Sequence, residues 1–226
     1  ISGVHDASFL PKPTGSYEIG IKPIHLVDVS RPENFTSNTT DVREMMIQLW
    51  YPIEGTNDRT PTDYMDVPTF QWLKGRSPIP LITIPNNAYE FVRPHSRNET
   101  TIAPGVFPVV VFSPGYDGVY QIYTSFIEDL VTHGFVVVSI NHPYVSGITV
   151  FPDGHTVGLA EVPLDPVARE AFFNMSLRTI VSDAKFVLDT ITEMNQTDPD
   201  FSGHFDLGKV GMYGHSFGGA NTAVCC

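Results

Sequence analysis

The sequence predicts an α/β fold built on a mostly parallel sheet. Strand-like apolar runs alternate with segments whose apolar residues repeat at helical spacing, an order typical of parallel strands joined by crossover helices. A glycine-rich turn at residues 214–219 joins the last predicted strand directly to the last predicted helix. With 226 residues, 42% of them hydrophobic, the chain can bury one sizeable core, and we predict a single domain over residues 1–226.

The first half of the chain is predicted to hold two opening strands and a long surface loop. The runs 17–29 and 43–53 are strand-like and are separated by a polar turn. Residues 54–104 are rich in Pro, Asn and Thr and are predicted to cross the surface. Aromatic residues of this loop could line a substrate pocket, but the favoured interpretation is that they pin the loop to its own domain: Tyr64, Phe70, Trp72, Tyr89 and Phe91.

The second half is predicted to hold the central strands and the main helices. β-Branched and apolar residues dominate the strand-like runs, and the helical segments carry apolar residues on one face. The predicted elements are a strand at 107–113, a helix at 119–134, a strand at 135–140, a hairpin at 147–157, a long helix at 167–194, a buried strand at 207–213 and a helix at 217–226.

The turn at 214–219 reads Gly-His-Ser-Phe-Gly-Gly, which is the G-x-S-x-G pattern of a nucleophile elbow. A strand that turns sharply into a helix holds the serine at positive φ and exposes its hydroxyl. Gly214 and Gly218 lie two residues on either side of Ser216, where a Cβ would collide with the turn. No Lys-Ser or Lys-Thr follows, so a phosphate-binding P-loop is excluded. We predict a nucleophilic Ser216 in an α/β-hydrolase fold, against the alternative of a glycine-rich turn that merely carries a serine.

A nucleophilic serine also needs N–H donors for the developing oxyanion. Phe217 N–H, directly after the nucleophile, is the first predicted donor. The second is expected in the loop after an early central strand, and the strand ending at Ser113 leads into such a glycine-containing loop. Pro114 has no N–H, which leaves Gly115 or Tyr116, and Tyr116 is favoured.

Seven segments, in order along the chain, resemble the secreted platelet-activating factor acetylhydrolases. These are lipase-like α/β-hydrolases that cleave short or oxidised acyl groups from phospholipids. The segments are 17–20, 48–52, 107–115, 133–138, 141–143, 151–154 and 214–220. The resemblance implies oxyanion donors at Phe217 and Tyr116, a small-molecule or lipid ester substrate, possible action at a lipid surface, and no cofactor. It also implies a catalytic acid and base after Ser216.

The general chain order Ser, Asp, His agrees with that implication. Ten residues follow Ser216, and residues 220–226 contain neither Asp nor His. We therefore predict that the general base and acid lie downstream of Cys226, that the fold is truncated just after the elbow, and that this chain by itself is inactive. A processed two-chain enzyme is the alternative. His142 is predicted to anchor a loop at a strand end, and His215 to pack behind the turn.

Composition excludes several classes of partner. A net charge of −12 with only 13 basic residues argues against nucleic acid and against tight docking to anionic lipid. No metal site is predicted, because neither His-x-x-x-His nor Cys-x-x-Cys occurs. Cys225 and Cys226 are predicted to be buried packing groups, with a disulfide to later sequence left open.

Glycosylation sequons indicate a eukaryotic secretory protein. Chance would give about one or two N-x-S/T sequons in this composition, whereas five occur, at Asn34, Asn38, Asn98, Asn174 and Asn195. We predict a secreted, extracellular glycoprotein whose signal peptide is absent from this chain, which begins at Ile1. No apolar run is long enough for a transmembrane span.

The resemblance implies a serine esterase acting on phospholipids with short or oxidised acyl chains. A secreted carboxylesterase or polyester hydrolase of the same fold is one alternative. A catalytically inactive hydrolase fold used as a binding module is another. The intact elbow around Ser216 favours an enzyme, because a binding module has no use for a strained serine. Oligomeric state is left open by the sequence.

Overall fold

The structure, a computed structural model, describes residues 8–55, 61–76, 85–98 and 101–226. The strands are β1 (Ser8–Phe9), β2 (Glu18–Pro32), β3 (Val42–Ile53), β4 (Val92–Arg93), β5 (Arg97–Asn98), β6 (Phe107–Ser113), β7 (Val136–Asn141), β8 (Ile148–Val150), β9 (Thr156–Gly158) and β10 (Phe205–Gly214). The α-helices are α1 (Val67–Gly75), α2 (Thr124–Thr132), α3 (Pro166–Thr197) and α4 (Phe217–Cys225). Short 3₁₀ turns occupy Ala88–Phe91 and Tyr120–Tyr123.

A six-stranded sheet in the order β10-β6-β7-β3-β2-β5 forms the centre of the fold. Three of its five strand pairings are parallel, and β3 is antiparallel to both of its neighbours. Because β6, β7 and β10 run parallel, their carboxyl ends meet at one edge, where α/β sheets place their sites. The predicted α/β class with a mostly parallel sheet is confirmed.

The core lies on both faces of the central strands. Val109 and Val111 of β6 pack on one face with Val187 and Ile191 of α3. Phe112 of β6 packs on the opposite face, in the cluster that includes Ile127 and Val131 of α2. Alternate side chains of a strand point to opposite faces, so this apolar run is buried on both sides. Burial of each such side chain stabilises the folded protein by roughly 1.5–3 kcal/mol relative to leaving it exposed.

The long helix α3 begins where its sequence signals place it. The Asp165 carboxylate accepts a hydrogen bond from Ala168 N–H at 2.8 Å, and Pro166 occupies the first helical turn. The strand predicted at 107–113 and the hairpin predicted at 147–157 are also found, the latter as β8 and β9.

Three sequence predictions need correction. The segment predicted as one helix at 119–134 starts as a 3₁₀ turn, and Phe126, which fits the apolar face of that predicted helix, is 73% exposed. The strand predicted to be buried at 207–213 is an edge strand in the described part of the chain, and residues 208–211 are exposed because only β6 pairs with it. The loop predicted at 54–104 contains α1 and a 3₁₀ turn.

The described part of that loop is held down by aromatic contacts, as the pinning interpretation expects. Phe70 of α1 is buried, with its ring centroid 5.2 Å from that of Tyr89. Trp72 packs so closely on Gly147 that a Cβ there would lie 2.0 Å from the indole ring. Residues 56–60, 77–84 and 99–100 lie outside the described part of the chain.

The sequon asparagines differ in their surroundings. Four of them are exposed: Asn34, Asn38, Asn98 and Asn174. Asn195 is half-buried, and its carboxamide exchanges two hydrogen bonds with the backbone of Phe205, at 3.1 and 2.9 Å. A glycan on Asn195 would occupy the nitrogen that makes one of these bonds, so the structure disfavours this candidate.

The two cysteines depart from their predicted role. Cys225 is half-buried and Cys226 is exposed, so only the first packs against the core. Both thiols are free.

Candidate active site

The turn between β10 and α4 holds Ser216 in a strained conformation. Its φ of 51° lies in the left-handed region, at a cost on the order of 1–3 kcal/mol. The flanking glycines are required by contact. A Cβ on Gly214 would lie 2.3 Å from the Gly218 backbone, and a Cβ on Gly218 would lie 2.0 Å from the Ser113 carbonyl oxygen. Ser216 itself is exposed to solvent.

The two amides predicted to bind an oxyanion, those of Tyr116 and Phe217, belong to segments that meet beside this turn. Tyr116 N–H donates no hydrogen bond to any residue that the structure describes. Phe217 is the first residue of α4, where N–H groups have no acceptor within the helix. The rings of Tyr116 and Phe217 are 5.9 Å apart between centroids. The positive end of the α4 dipole also favours negative charge here.

The oxyanion loop, residues 113–118, is packed against the elbow at its start. His215 N–H donates to the Ser113 carbonyl oxygen at 3.3 Å. A Cβ on Gly115 would lie 3.0 Å from His215 Nδ1 and 3.4 Å from the Ser216 Cβ, so only glycine lets the segments approach this closely. The position of the oxyanion loop relative to Ser216 is therefore set by direct contact between the two segments.

The other end of the oxyanion loop is held by the segment after β7 and by α1. Asp117 N–H donates to the Val145 carbonyl oxygen at 2.9 Å. The Asp117 carboxylate forms an ion pair with Arg76, the C-cap of α1, at 2.7 Å. Burial raises the pKa of the Asp117 carboxyl, and the Arg76 charge opposes that shift. The part of the chain that carries α1 is thus fastened to the oxyanion loop.

An aromatic surface flanks the elbow. Phe173 of α3 contacts the Tyr116 ring at 5.2 Å and the Phe217 ring at 6.2 Å between centroids. Sequence reasoning did not single out Phe173, although a signal existed. Phe172 and Phe173 are adjacent on a helix, so only one of them, the buried Phe172, can face the core.

The histidine next to Ser216 has surroundings that differ from those predicted. His215 is exposed rather than packed behind the turn, and its Nδ1 lies 3.0 Å from the Tyr123 hydroxyl. No histidine of the described residues is hydrogen-bonded to the Ser216 hydroxyl. A general base and acid downstream of Cys226 remain a prediction.

A second serine, Ser113, belongs to a buried hydrogen-bonded chain of three residues. Its hydroxyl lies 2.9 Å from His142 Nε2, and His142 Nδ1 lies 2.9 Å from the Asp183 carboxylate. This is the connectivity of a Ser-His-Asp triad. However, Ser113, His142 and Asp183 are 0%, 1% and 0% exposed, so a substrate cannot reach the hydroxyl. We call these three residues the buried relay.

Arginines hold the far end of the buried relay. Arg43 donates to both Asp183 oxygens, at 2.7 and 3.1 Å, and Arg31 donates to one of them at 2.9 Å. Burial by itself raises the pKa of the Asp183 carboxyl, but the Arg43 charge and the hydrogen bonds from His142 and Arg43 outweigh it, and the net pKa is far below the usual range. Asp183 is therefore a carboxylate.

The protonation state of His142 follows from its surroundings. Burial lowers the pKa of the imidazole, contact with Asp183 offsets part of this, and the charges of Arg43 and Arg31 add to the lowering. A neutral ring must donate from Nδ1 to the Asp183 carboxylate, so Nε2 accepts from the Ser113 hydroxyl. His142 anchors a loop, as predicted, since its backbone also bonds to Ser146.

Sequence reasoning found His142 but missed its partners. Asp183 lies on α3 and Arg43 on β3, and no local pattern relates either of them to a histidine after β7. Within the described ranges, no group of three or more His, Cys, Asp and Glu side chains is placed to hold a metal ion. The helices described are each too short or too polar to cross a bilayer.

Comparison with known proteins gives consistent results. The family model described as platelet-activating factor acetylhydrolase, isoform II, matches residues 2–156. A protein of Arthroderma benhamiae (strain ATCC MYA-4681 / CBS 112371), named as a probable 1-alkyl-2-acetylglycerophosphocholine esterase, is 26% identical over 241 residues. That match covers 97% of this chain and 55% of the fungal protein.

A solved structure is also similar. Ferulic acid esterase from Streptomyces cinnamoneus superposes with a TM-score of 0.77 at 27% identity, over 97% of this chain and 58% of that one. The chain thus spans a little over half the length of both relatives. Together with the sheet order and the crossover helices, this similarity establishes the α/β-hydrolase fold.

Proposed function

Because this chain belongs to the platelet-activating factor acetylhydrolase, isoform II, family, we propose that the protein is a serine-dependent carboxylic ester hydrolase with Ser216 as its nucleophile. One observation carries the proposal. Ser216 is exposed at positive φ on a strand-to-helix elbow, beside the amides of Phe217 and Tyr116. Both named relatives are esterases, which supports the same reaction class.

The proposed reaction is acyl transfer through a covalent intermediate. Ser216 Oγ attacks the ester carbonyl, and the C–O bond to the alcohol breaks after the tetrahedral stage. The amides of Phe217 and Tyr116 donate hydrogen bonds to the oxyanion, and each lowers the activation free energy by about 3 kcal/mol. A His beyond Cys226 in the whole protein would take the proton from Ser216 and give it to the leaving alcohol, while an Asp orients that His. Water then hydrolyses the acyl-enzyme.

The proposed substrate is a phospholipid with a short or oxidised acyl chain. This proposal is supported by the name of the relative from Arthroderma benhamiae and by the family membership. The aromatic surface of Tyr116, Phe173 and Phe217 offers apolar contact for such a chain next to Ser216. We further propose secretion and glycosylation, which the four exposed sequon asparagines support.

An aryl ester is the second candidate substrate. The superposed structure is named a ferulic acid esterase, and rings packed edge to face can accept an aromatic acyl group. Relative turnover of 1-alkyl-2-acetylglycerophosphocholine and methyl ferulate separates the two candidates. Faster turnover of the phospholipid supports the first, and hydrolysis of the ferulate alone would replace it with the second.

The nucleophile is tested by Ser216→Ala in the whole protein, expressed from its complete coding sequence. Hydrolysis of 4-nitrophenyl acetate should fall to background. Ser202→Ala, an exposed serine before the other end of β10, should keep wild-type turnover. Turnover by Ser216→Ala above background would refute the assignment, and failure of the wild type on every ester would favour a binding module.

A further inference from the structure

We propose that Ser113 and His142 are positioning residues for ester hydrolysis: with Asp183 they fix the oxyanion loop against the nucleophile elbow. This rests on the proposed function, because the position of the loop matters only if the Tyr116 amide binds an oxyanion. The buried relay thereby acts on a reaction at Ser216 without touching the substrate.

The buried relay holds the oxyanion loop at Ser113, three residues before Tyr116. Ser113 is the last residue of β6, and its hydroxyl bonds to His142 Nε2 at 2.9 Å and to Asn221 Nδ2 at 3.2 Å. Asn221 belongs to α4, the helix that begins at the elbow. Through its side chain, Ser113 therefore ties β6 both to the segment after β7 and to the helix that follows the nucleophile.

The same histidine also supports the loop immediately after Tyr116. The His142 carbonyl oxygen accepts hydrogen bonds from Val145 N–H at 3.0 Å and from Ser146 N–H at 2.7 Å. The Val145 carbonyl oxygen in turn accepts from Asp117 N–H at 2.9 Å. Both neighbouring segments of the proposed donor thus depend on where His142 lies.

A displacement of Ser113 would be transmitted along the backbone to Tyr116 N–H, the proposed oxyanion donor. Planar peptides and the fixed φ of Pro114 carry a displacement of Ser113 onward to Gly115. A Cβ on Gly115 would be only 3.0–3.4 Å from elbow atoms, so the loop has little free space in that direction. Tyr116 N–H makes no bond of its own to the described residues, so its neighbours set its position.

The buried charges fit a positioning role better than a stabilising one. Arg43 is 1% exposed and bonds to Asp183, to Glu33 at 2.8 Å and to the Pro143 carbonyl oxygen at 3.2 Å. Apolar replacements of buried ion pairs are often at least as stable, so such groups are weak evidence for stabilisation. Here they fix Asp183 and the residue after His142 at one place.

The test compares Ser113→Ala with Ser139→Ala in the whole protein. Both hydroxyls are fully buried, and Ser139 on β7 pairs in register with Phe112. The Ser139 hydroxyl accepts from Trp50 and donates to the Gln48 carbonyl oxygen, so the control also removes two hydrogen bonds, neither of which involves the oxyanion loop. The readouts are kcat and KM for 4-nitrophenyl acetate and the affinity of a phenylboronic acid, which forms a tetrahedral adduct with a nucleophilic serine.

We expect Ser113→Ala to lower kcat by about 10- to 100-fold, the scale of a misplaced catalytic group, with KM changed less than about twofold. The boronic acid should lose affinity in parallel with kcat, because both depend on the oxyanion donors. Ser139→Ala should change neither by more than about twofold, even where both variants lower Tm equally.

His142→Asn is the second variant. Asparagine can keep a donor near Nδ1 for Asp183 while it is too short to reach Ser113. It should reproduce the kcat loss of Ser113→Ala, and the double variant should lose no more than either single one, because both break the same link.

The outcomes separate the two proposals. If both variants lose no more kcat than Ser139→Ala, or if neither folds while Ser139→Ala does, the positioning role is refuted and Ser216 keeps its assignment. If Ser216→Ala retains turnover, the proposed function fails whatever the buried relay does.

Discussion

Ser113 and Ser216 lie at the carboxyl ends of two neighbouring parallel strands, and each has what the other lacks. Ser113 ends β6, bonds to a histidine that bonds to an aspartate, and is fully buried. Ser216 follows β10, is exposed and strained, and lies beside two amides predicted to bind an oxyanion. Hydrogen-bond connectivity is found in one region and access to substrate in the other.

This difference shows that triad connectivity alone does not identify a nucleophile. A search for Ser-His-Asp contacts would select the buried relay. Catalysis requires in addition a place where the reacting carbonyl can lie about 3 Å from both the nucleophile and the oxyanion donors. Ser113 is fully buried and offers no such place, whereas Ser216 is exposed beside the two amides predicted to bind an oxyanion.

The largest expected effect concerns the buried charges around Asp183 and their contribution to the stability of the protein. Arg43→Met removes the ion-pair partner of the buried Glu33 and one of the two arginines that bond to Asp183, and it should lower the free energy of unfolding by about 3–5 kcal/mol. The exposed pair of Lys22 and Asp200 offers the control, since Lys22→Met should cost no more than about 1 kcal/mol. Urea unfolding measures both, and equal losses would contradict a special role for the buried charges.

The next effect concerns the contact between the oxyanion loop and the elbow that carries Ser216. In Gly115→Ala the new Cβ would press on His215 and Ser216, and the oxyanion loop should move away from the elbow. We expect labelling by a fluorophosphonate to slow by about 10- to 100-fold. Gly75→Ala, where no atom lies within 4 Å of the new Cβ, should label at the wild-type rate. An unchanged labelling rate in Gly115→Ala would show that the reactivity of Ser216 does not depend on the position of the oxyanion loop.

His142 of the buried relay should contribute a pH dependence to the stability of the protein. The pKa of His142 is lowered in the folded protein, so below pH about 6.5 the unfolded chain binds a proton that the folded protein does not. The free energy of unfolding then falls with falling pH, by at most about 1.4 kcal/mol per pH unit, until the folded pKa is reached. His142→Asn should remove this contribution and Ser216→Ala should keep it, as thermal unfolding between pH 5 and 8 can show. An identical pH dependence in His142→Asn would contradict the assignment.

The smallest expected effect concerns the aromatic surface beside Ser216. Phe173→Ala removes the ring contacts with Tyr116 and Phe217, and KM for a short-chain ester should rise by about 2- to 10-fold with kcat nearly constant. Phe186→Ala is the matched control, since Phe186 is also half-buried on α3 but packs near Arg31. Equal changes of KM in the two variants would show that Phe173 has no specific contact with the substrate.

The sequence predicted the parts of this protein that depend on local signals. The strand at 107–113, the start of α3, predicted at residue 167 and found at Pro166, and the glycines around Ser216 each follow from residues within a few positions. Contacts between distant residues were not predictable in this way. The buried relay joins Ser113, His142 and Asp183 from three separate elements, and their pairing is set by strand order and helix packing.

The errors have the same physical origin. An apolar run such as 207–213 is also what a central strand contains, and the number of its neighbours is a property of the sheet. Phe126 fits the apolar face of a regular helix, but the 3₁₀ turn before α2 changes the helical phase. The surroundings of His215 depend on Tyr123, which comes from the segment after the oxyanion loop.

The most direct test is to react the whole protein with a fluorophosphonate and to locate the phosphonylated residue by mass spectrometry of its peptides. The contrast between the two serines predicts an adduct on Ser216 that Ser216→Ala abolishes and Ser113→Ala only slows. An adduct on Ser113, or labelling that survives in Ser216→Ala and disappears in Ser113→Ala, would contradict it and make the buried serine the nucleophile.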